Sequence, residues 1–165
     1  IGNGLDEGIA VGPLVNASTL KKVASLVDDA VAKGAKVLTG GRAIGGVGYF
    51  YPPTVLTDVP AQADIVTEEI FGPVAAIQTF TTEDEVIAQA NSSEFGLASY
   101  VYTRDIGKGL RVAEKLEAGM VGLNRGLVSD PAAPFGGVKQ SGLGREGGHE
   151  GLLEFLETQY VSVNW

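Results

Sequence analysis

The chain has 165 residues, 44% hydrophobic and 19% charged, with 12 basic against 20 acidic side chains for a formal net charge of -8. Such a chain can bury roughly 70% of its unfolded surface in one core, is too apolar for a disordered tail, and contains no apolar run near the ~20 residues of a membrane helix. No basic cluster offsets the acidic balance, which argues against nucleic acid as a partner, while zero Cys and a single His remove thiolate nucleophiles, disulfides, Cys-based zinc sites and paired-imidazole sites.

After a Gly-rich entry over residues 1–13, Leu20, Val23, Val27, Ala30 and Val31 recur at helical spacing with Lys21, Lys22, Asp28 and Asp29 between them. The pattern predicts an amphipathic surface helix closed by Gly34. Residues 36–39 read as a strand, the five glycines within 40–48 as a mobile hairpin or loop, and 49–53 as an extended or edge segment, because Pro52 and Pro53 cannot donate to a ladder.

From Val74 the pattern becomes regular. Residues 74–80 read as a strand, Thr82 with Glu85 makes a capping box for a helix to Asn91, and 98–102 is a second strand. Asp105 caps a helix to Leu116, Gly119 closes it, and 120–123 is a third strand. Strand and helix alternating in this way predict a single folded unit of α/β class with a parallel, right-handed βαβ sheet. Ligands of such sheets bind beyond the carboxyl ends of the strands, which makes the Gly/Pro-rich loop 124–137 the first candidate site. A helix over 150–156 and a β-prone terminal strand over 160–163 complete the pattern.

Three motifs have a chemical and a bland reading. Gly142-Leu143-Gly144-Arg145-Glu146-Gly147 matches G-x-G-x-x-G, but no strand precedes it and no βαβ unit follows, so it reads as a structural turn. Ser129, Asp130 and His149 are the residue types of a nucleophilic triad without any nucleophile elbow, so His149 reads as a solvated loop residue. Glu68-Glu69-Ile70-Phe71-Gly72-Pro73-Val74 sets two carboxylates and an aromatic just before a strand. These are surface acids and a core Phe, or a carboxylate that accepts from a vicinal diol beside a ring that holds a flat group. Close like charges that push one carboxyl pKa upward would offer acid–base chemistry, but nothing else in the chain supplies a nucleophile or phosphate cradle.

Glu68 to Val74, together with Pro134-Phe135-Gly136-Gly137-Val138-Lys139-Gln140-Ser141-Gly142-Leu143-Gly144-Arg145-Glu146, resembles the aldehyde dehydrogenase superfamily in motif, order and separation. The likeness runs on through Gly12-Pro13, Gly40-Gly41, 49–55, 91–97 and 160–163. It implies that residues 1–156 are the later part of that family's catalytic domain and 157–165 the last strand of its assembly domain. The catalytic Cys, the general base and the dinucleotide-binding domain would then lie before Ile1, and the chain would be an inactive piece of a larger cytoplasmic enzyme.

Residue by residue, Glu69 resembles the glutamate that holds the nicotinamide ribose hydroxyls, and Phe71 the aromatic beside the nicotinamide ring. Phe135 resembles the aromatic that lines the aldehyde pocket, and Glu157 an interface glutamate. The loop from Asn124 is most similar to the succinate-semialdehyde dehydrogenase branch, where a serine at the Ser129 position bonds the substrate's distal carboxylate; Arg125 departs from that pattern and either faces solvent, the favoured reading, or supplies an extra cation to that carboxylate. The resemblance implies an NADP- or NAD-dependent oxidation of a short aldehyde with a carboxylate tail. A Cys thiolate adds to the aldehyde, hydride passes to nicotinamide, and water releases the acid from the thioester. It also implies a homo-oligomer joined through the terminal strand. The competing expectation is a noncatalytic module that binds a partner through that strand.

Overall fold

Asn16 starts the first helix. Its side-chain oxygen accepts from the Thr19 N–H at 2.9 Å, and α1 runs Ala17–Ala32 with Val23, Leu26, Val27 and Ala30 buried along one face. Val23, Val27 and Ala30 were expected on that face; Leu26 joins them, Leu20 is only partly buried and Val31 is exposed, and Gly34, at φ +115°, turns the chain out of the helix. The computed structural model describes residues 1–165, which form two compact units, Ile1–Thr79 and Phe80–Trp165.

In the first unit β1 (Lys36–Thr39) pairs antiparallel with β2 (Thr54–Thr57), and β2 pairs parallel with β3 (Val74–Ala76). Helix α1 packs against β2 and β3, and β1 is exposed. Tyr51, Leu56, Val59, Ala63 and Ile65 close the core against it. One polar cluster ties the helix end to the connection between β2 and β3: Lys33 Nζ lies 2.8 Å from both Asp29 and Asp64, and the Asp64 N–H donates to Asp29 at 2.9 Å. The hydrogen bond from Lys33, and then that from the Asp64 backbone, hold the Asp29 carboxyl below its ordinary 3.8.

In the second unit the capping box forms as expected. Thr82 accepts from the Glu85 N–H, Glu85 reaches back to the Thr82 N–H, and α2 runs Glu83–Asn91. Then follow β4 (Phe95–Gly96), β5 (Ala98–Val101), α3 (Ile106–Lys115, capped by Asp105), β6 (Met120–Leu123), β7 (Val138–Lys139) and α4 (Glu150–Leu153). β5, α3 and β6 are a βαβ unit with the two strands parallel, whereas β4 pairs antiparallel with β7. Arg111 on α3 grips Glu83 on α2 through two hydrogen bonds, at 2.9 and 2.7 Å.

The α/β class holds, but the expected single sheet and single unit do not. The strand predicted over 74–80 is confined to 74–76 and joins β2, which follows directly on the demoted segment 49–53 and which the sequence reading did not assign. The ladder needs its first N–H only at Thr54, which donates to the Pro73 carbonyl at 2.8 Å, so Pro52 and Pro53 stand just outside it. The predicted helix over 150–156 is one turn, 150–153. No strand forms over 160–163: residues 154–165 are exposed without regular structure, because a strand exists only through pairing and no edge of the chain receives this one.

Candidate functional site

The turn before β3 alternates inward and outward. Ile70 packs against the core and Gly72 sits on α1, where a Cβ would come within 2.6 Å of Val23 Cγ2. Glu69 and Phe71 are therefore turned to solvent; Phe71 is 74% exposed and holds a left-handed backbone at φ +49°. A non-glycine residue in that region costs roughly 1–2 kcal/mol. An exposed aromatic gains nothing from burial to offset this, which marks the turn as shaped for contact with something else. Lys22 on α1 donates to the Glu69 carbonyl at 2.8 Å and stands 3.6 Å from the Glu68 carboxylate. The Glu69 carboxylate has no hydrogen-bond partner within the chain.

In the second unit the loop that leaves β6 carries Arg125, Ser129 and Asp130, all exposed. Asp130 is committed to its own turn: its carboxylate accepts from the Ala132 N–H at 2.9 Å and its carbonyl from the Ala133 N–H at 3.0 Å. His149 is exposed before α4, and no hydrogen bond joins it to Ser129 or Asp130. The triad reading has no geometric support.

Phe135 is half-buried at the root of a strap closed by two backbone hydrogen bonds to Glu146, each 2.7 Å. The strap lies backbone to backbone on its neighbours. A Cβ at Gly119 would overlap the Gly136 carbonyl oxygen, and one at Gly96 would fall 2.5 Å from the Glu117 carbonyl oxygen. Arg145 pins the strap from within by donating to the Gly137 and Gly144 carbonyls, both at 2.7 Å. A cavity of about 450 Å³ opens beside it, lined by Leu97, Phe135, Leu143, Arg145 and Phe155 among others. Gly142, Gly144 and Gly147 have φ of +102°, +85° and +67°, so the G-x-G-x-x-G match is a run of turns that ends in a four-residue helix. No three His, Cys, Asp or Glu side chains are grouped to hold a metal ion.

The sequence reading missed Lys22, Lys139 and Asn91. Lys139, itself left-handed at φ +56°, donates to the carbonyls of Asn91 at 2.8 Å and Ser93 at 3.1 Å and pairs with Glu117. Asn91 bridges the Lys115 carbonyl and the Glu117 N–H. These contacts join residues 22 to 48 positions apart, beyond the range of any local pattern.

The family model described as the aldehyde dehydrogenase family matches residues 1–161. The chain belongs to the aldehyde dehydrogenase family. Within it, the chain is 56% identical over 162 residues to a succinate-semialdehyde dehydrogenase of Paenarthrobacter nicotinovorans, covering 98% of this chain and 36% of that protein. It is 53% identical over 164 residues to a glutarate-semialdehyde dehydrogenase of Pseudomonas putida, covering 99% and 34%. The crystal structure of an NADP-dependent enzyme of Escherichia coli superposes with a TM-score of 0.91 at 50% identity, over 94% of this chain and 32% of that one. The chain thus spans about a third of the length of the relatives it matches.

For an aldehyde dehydrogenase the implied cofactor is a nicotinamide dinucleotide, and the turn at 68–72 fits one. A free carboxylate can take both hydroxyls of a ribose, and an exposed ring on a rigid turn can support a flat heterocycle.

Proposed function

We propose that the 165 residues are the downstream, C-terminal part of an NADP- or NAD-dependent dehydrogenase that oxidises succinate semialdehyde, or a similar short aldehyde with an anionic tail, to the acid. The observation that carries this reading is the turn at 68–72, which displays Glu69 and Phe71 while packing Ile70 on the core and Gly72 against α1. The relatives named for succinate and glutarate semialdehydes support the substrate class: both aldehydes end in a carboxylate, four and five carbons long in all.

In this reading Glu69 accepts from the nicotinamide ribose hydroxyls and orients the cofactor, and Phe71 shields one face of its ring. The cofactor, when bound, supplies the hydride acceptor. Phe135 forms a wall of the aldehyde pocket, and the Ser129 hydroxyl donates to the substrate's distal carboxylate, which selects for an anionic tail. Arg125 faces solvent. Chemistry at the aldehyde carbon needs a nucleophile that these residues lack, since the chain contains no Cys.

The 165-residue chain alone is therefore expected to give no NADPH above a heat-treated control when supplied with succinate semialdehyde and NADP. Turnover by the chain would overturn this reading. In the longer enzyme, E69Q is expected to raise the cofactor KM about tenfold with the aldehyde KM unchanged, as loss of a charge-assisted hydrogen bond predicts.

Residues 157–165, with Glu157 among them, are read as the strand through which subunits of a cytoplasmic homo-oligomer join. The exposed apolar side chains of Phe155, Tyr160, Val161, Val163 and Trp165 support that reading and equally favour a second one, a noncatalytic module that docks on a partner. No helix is long and apolar enough to cross a membrane. The coding sequence on either side of the chain separates the two: an upstream Cys and dinucleotide-binding domain in the same frame support the enzyme, and a start codon directly before Ile1 supports the module.

A further inference from the structure

We infer that Lys22 is a positioning residue for the cofactor contact, acting through the backbone of Glu69; this rests on the reading of Glu69 and Phe71 given above. Two consecutive residues of α1 seat the turn. Lys22 takes the Glu69 carbonyl at 2.8 Å, and Val23 supplies the surface on which Gly72 closes. Ile70, packed on the core, anchors the turn between them.

The two outward side chains have no such support of their own. The Glu69 carboxylate has no partner in the chain, and Phe71 is mostly exposed on a left-handed backbone. Their direction is set by the backbone, and at Glu69 the only side chain that bonds that backbone is Lys22. The ammonium is suited to this. It reaches the turn from a helix whose face is fixed by four buried residues, and the Glu68 carboxylate at 3.6 Å draws it to the same place. Lys22 touches neither substrate nor reacting atoms in this account. It determines whether Glu69 meets the ribose already oriented or must be ordered on binding, which lowers affinity.

The test has two arms. In the 165-residue chain, amide hydrogen exchange at residues 69–72 is compared between the native protein, K22M and K22R. K22M is expected to speed exchange there about fivefold or more, with α1 protection unchanged, and K22R to recover much of the native rate. In the longer enzyme, K22M is expected to raise the cofactor KM about five- to tenfold while kcat and the aldehyde KM stay within about twofold, and E69Q combined with K22M to add less than the two changes separately. Unchanged exchange in K22M overturns the proposal. So does faster exchange with an unchanged cofactor KM in an enzyme where E69Q raises it. If E69Q itself leaves the cofactor KM unchanged, the assignment of Glu69 fails instead, and the exchange arm still reports whether Lys22 holds the turn. Loss of protection along α1 as well would show a general structural role and overturn the proposal.

Discussion

At the scale of single residues, one buried side-chain polar atom has no partner. Tyr51 is 1% exposed and its hydroxyl bonds to nothing. Burial, and then the nearby Asp28 charge, push its pKa above the ordinary 10.0. Because the folded-state value is the higher one, this group's contribution to stability is whole below pH 10 and is lost as pH rises through the raised value. Y51F removes both the orphan hydroxyl and that loss. It is expected to be neutral or to stabilise by about 1 kcal/mol in urea unfolding at pH 7, and to move alkaline unfolding upward. Gly119 is the opposite case, a position with no room. G119A drives a methyl into the Gly136 carbonyl and is expected to cost about 1–3 kcal/mol, with the added exchange concentrated in the Phe135–Glu146 strap.

At the scale of elements, the caps Thr82 and Asp105 were read from the sequence, Asn16 was not, and the pairings were not. Asn16, Thr82 and Asp105 each bond an N–H three positions on, so the information that starts each helix lies within one turn of sequence. The partner of a strand lies outside any such window. β2 escaped notice beside its prolines, and β3 was assigned to a sheet with β5 and β6 when its register runs Thr54 to Val74 against β2. The contact between α2 and α3 also gives a pH dependence. The hydrogen bonds from Arg111 hold the Glu83 carboxyl below 4.5, and those from Thr81 do the same for Glu85. Depressed carboxyl values place their contribution above pH 4.5 and remove it as pH falls through the lowered values. The urea midpoint is expected to drop between pH 5 and pH 3, and E83Q to lower it at pH 5 and reduce that drop.

At the scale of the whole molecule, the last eleven residues leave a row of apolar side chains without cover. Phe155, Tyr160, Val161, Val163 and Trp165 are all exposed, and a β-prone segment with free backbone groups pairs with whatever edge it meets. The chain is expected to associate as its concentration rises, in size-exclusion with light scattering. Removal of residues 157–165 should give a smaller species with an unchanged melting temperature, since none of the residues removed belongs to the buried core. A concentration-independent monomer from the intact chain would remove the support for an assembly strand.

The sequence by itself determined the helices, their caps and the motifs that carry the family, because each depends on residues within a few positions of one another. Glu69, Phe71 and Phe135, the proposed site residues, were singled out in the same way, as members of compact motifs. Tertiary structure alone decided which strands share a sheet, why Gly96 and Gly119 must lack a side chain, and that Lys22 reaches Glu69 from 47 residues away. Those features depend on which backbones come to lie against each other. Long-range pairing is selected by register and by the shape of the packed core, and neither is written in any one stretch of the chain.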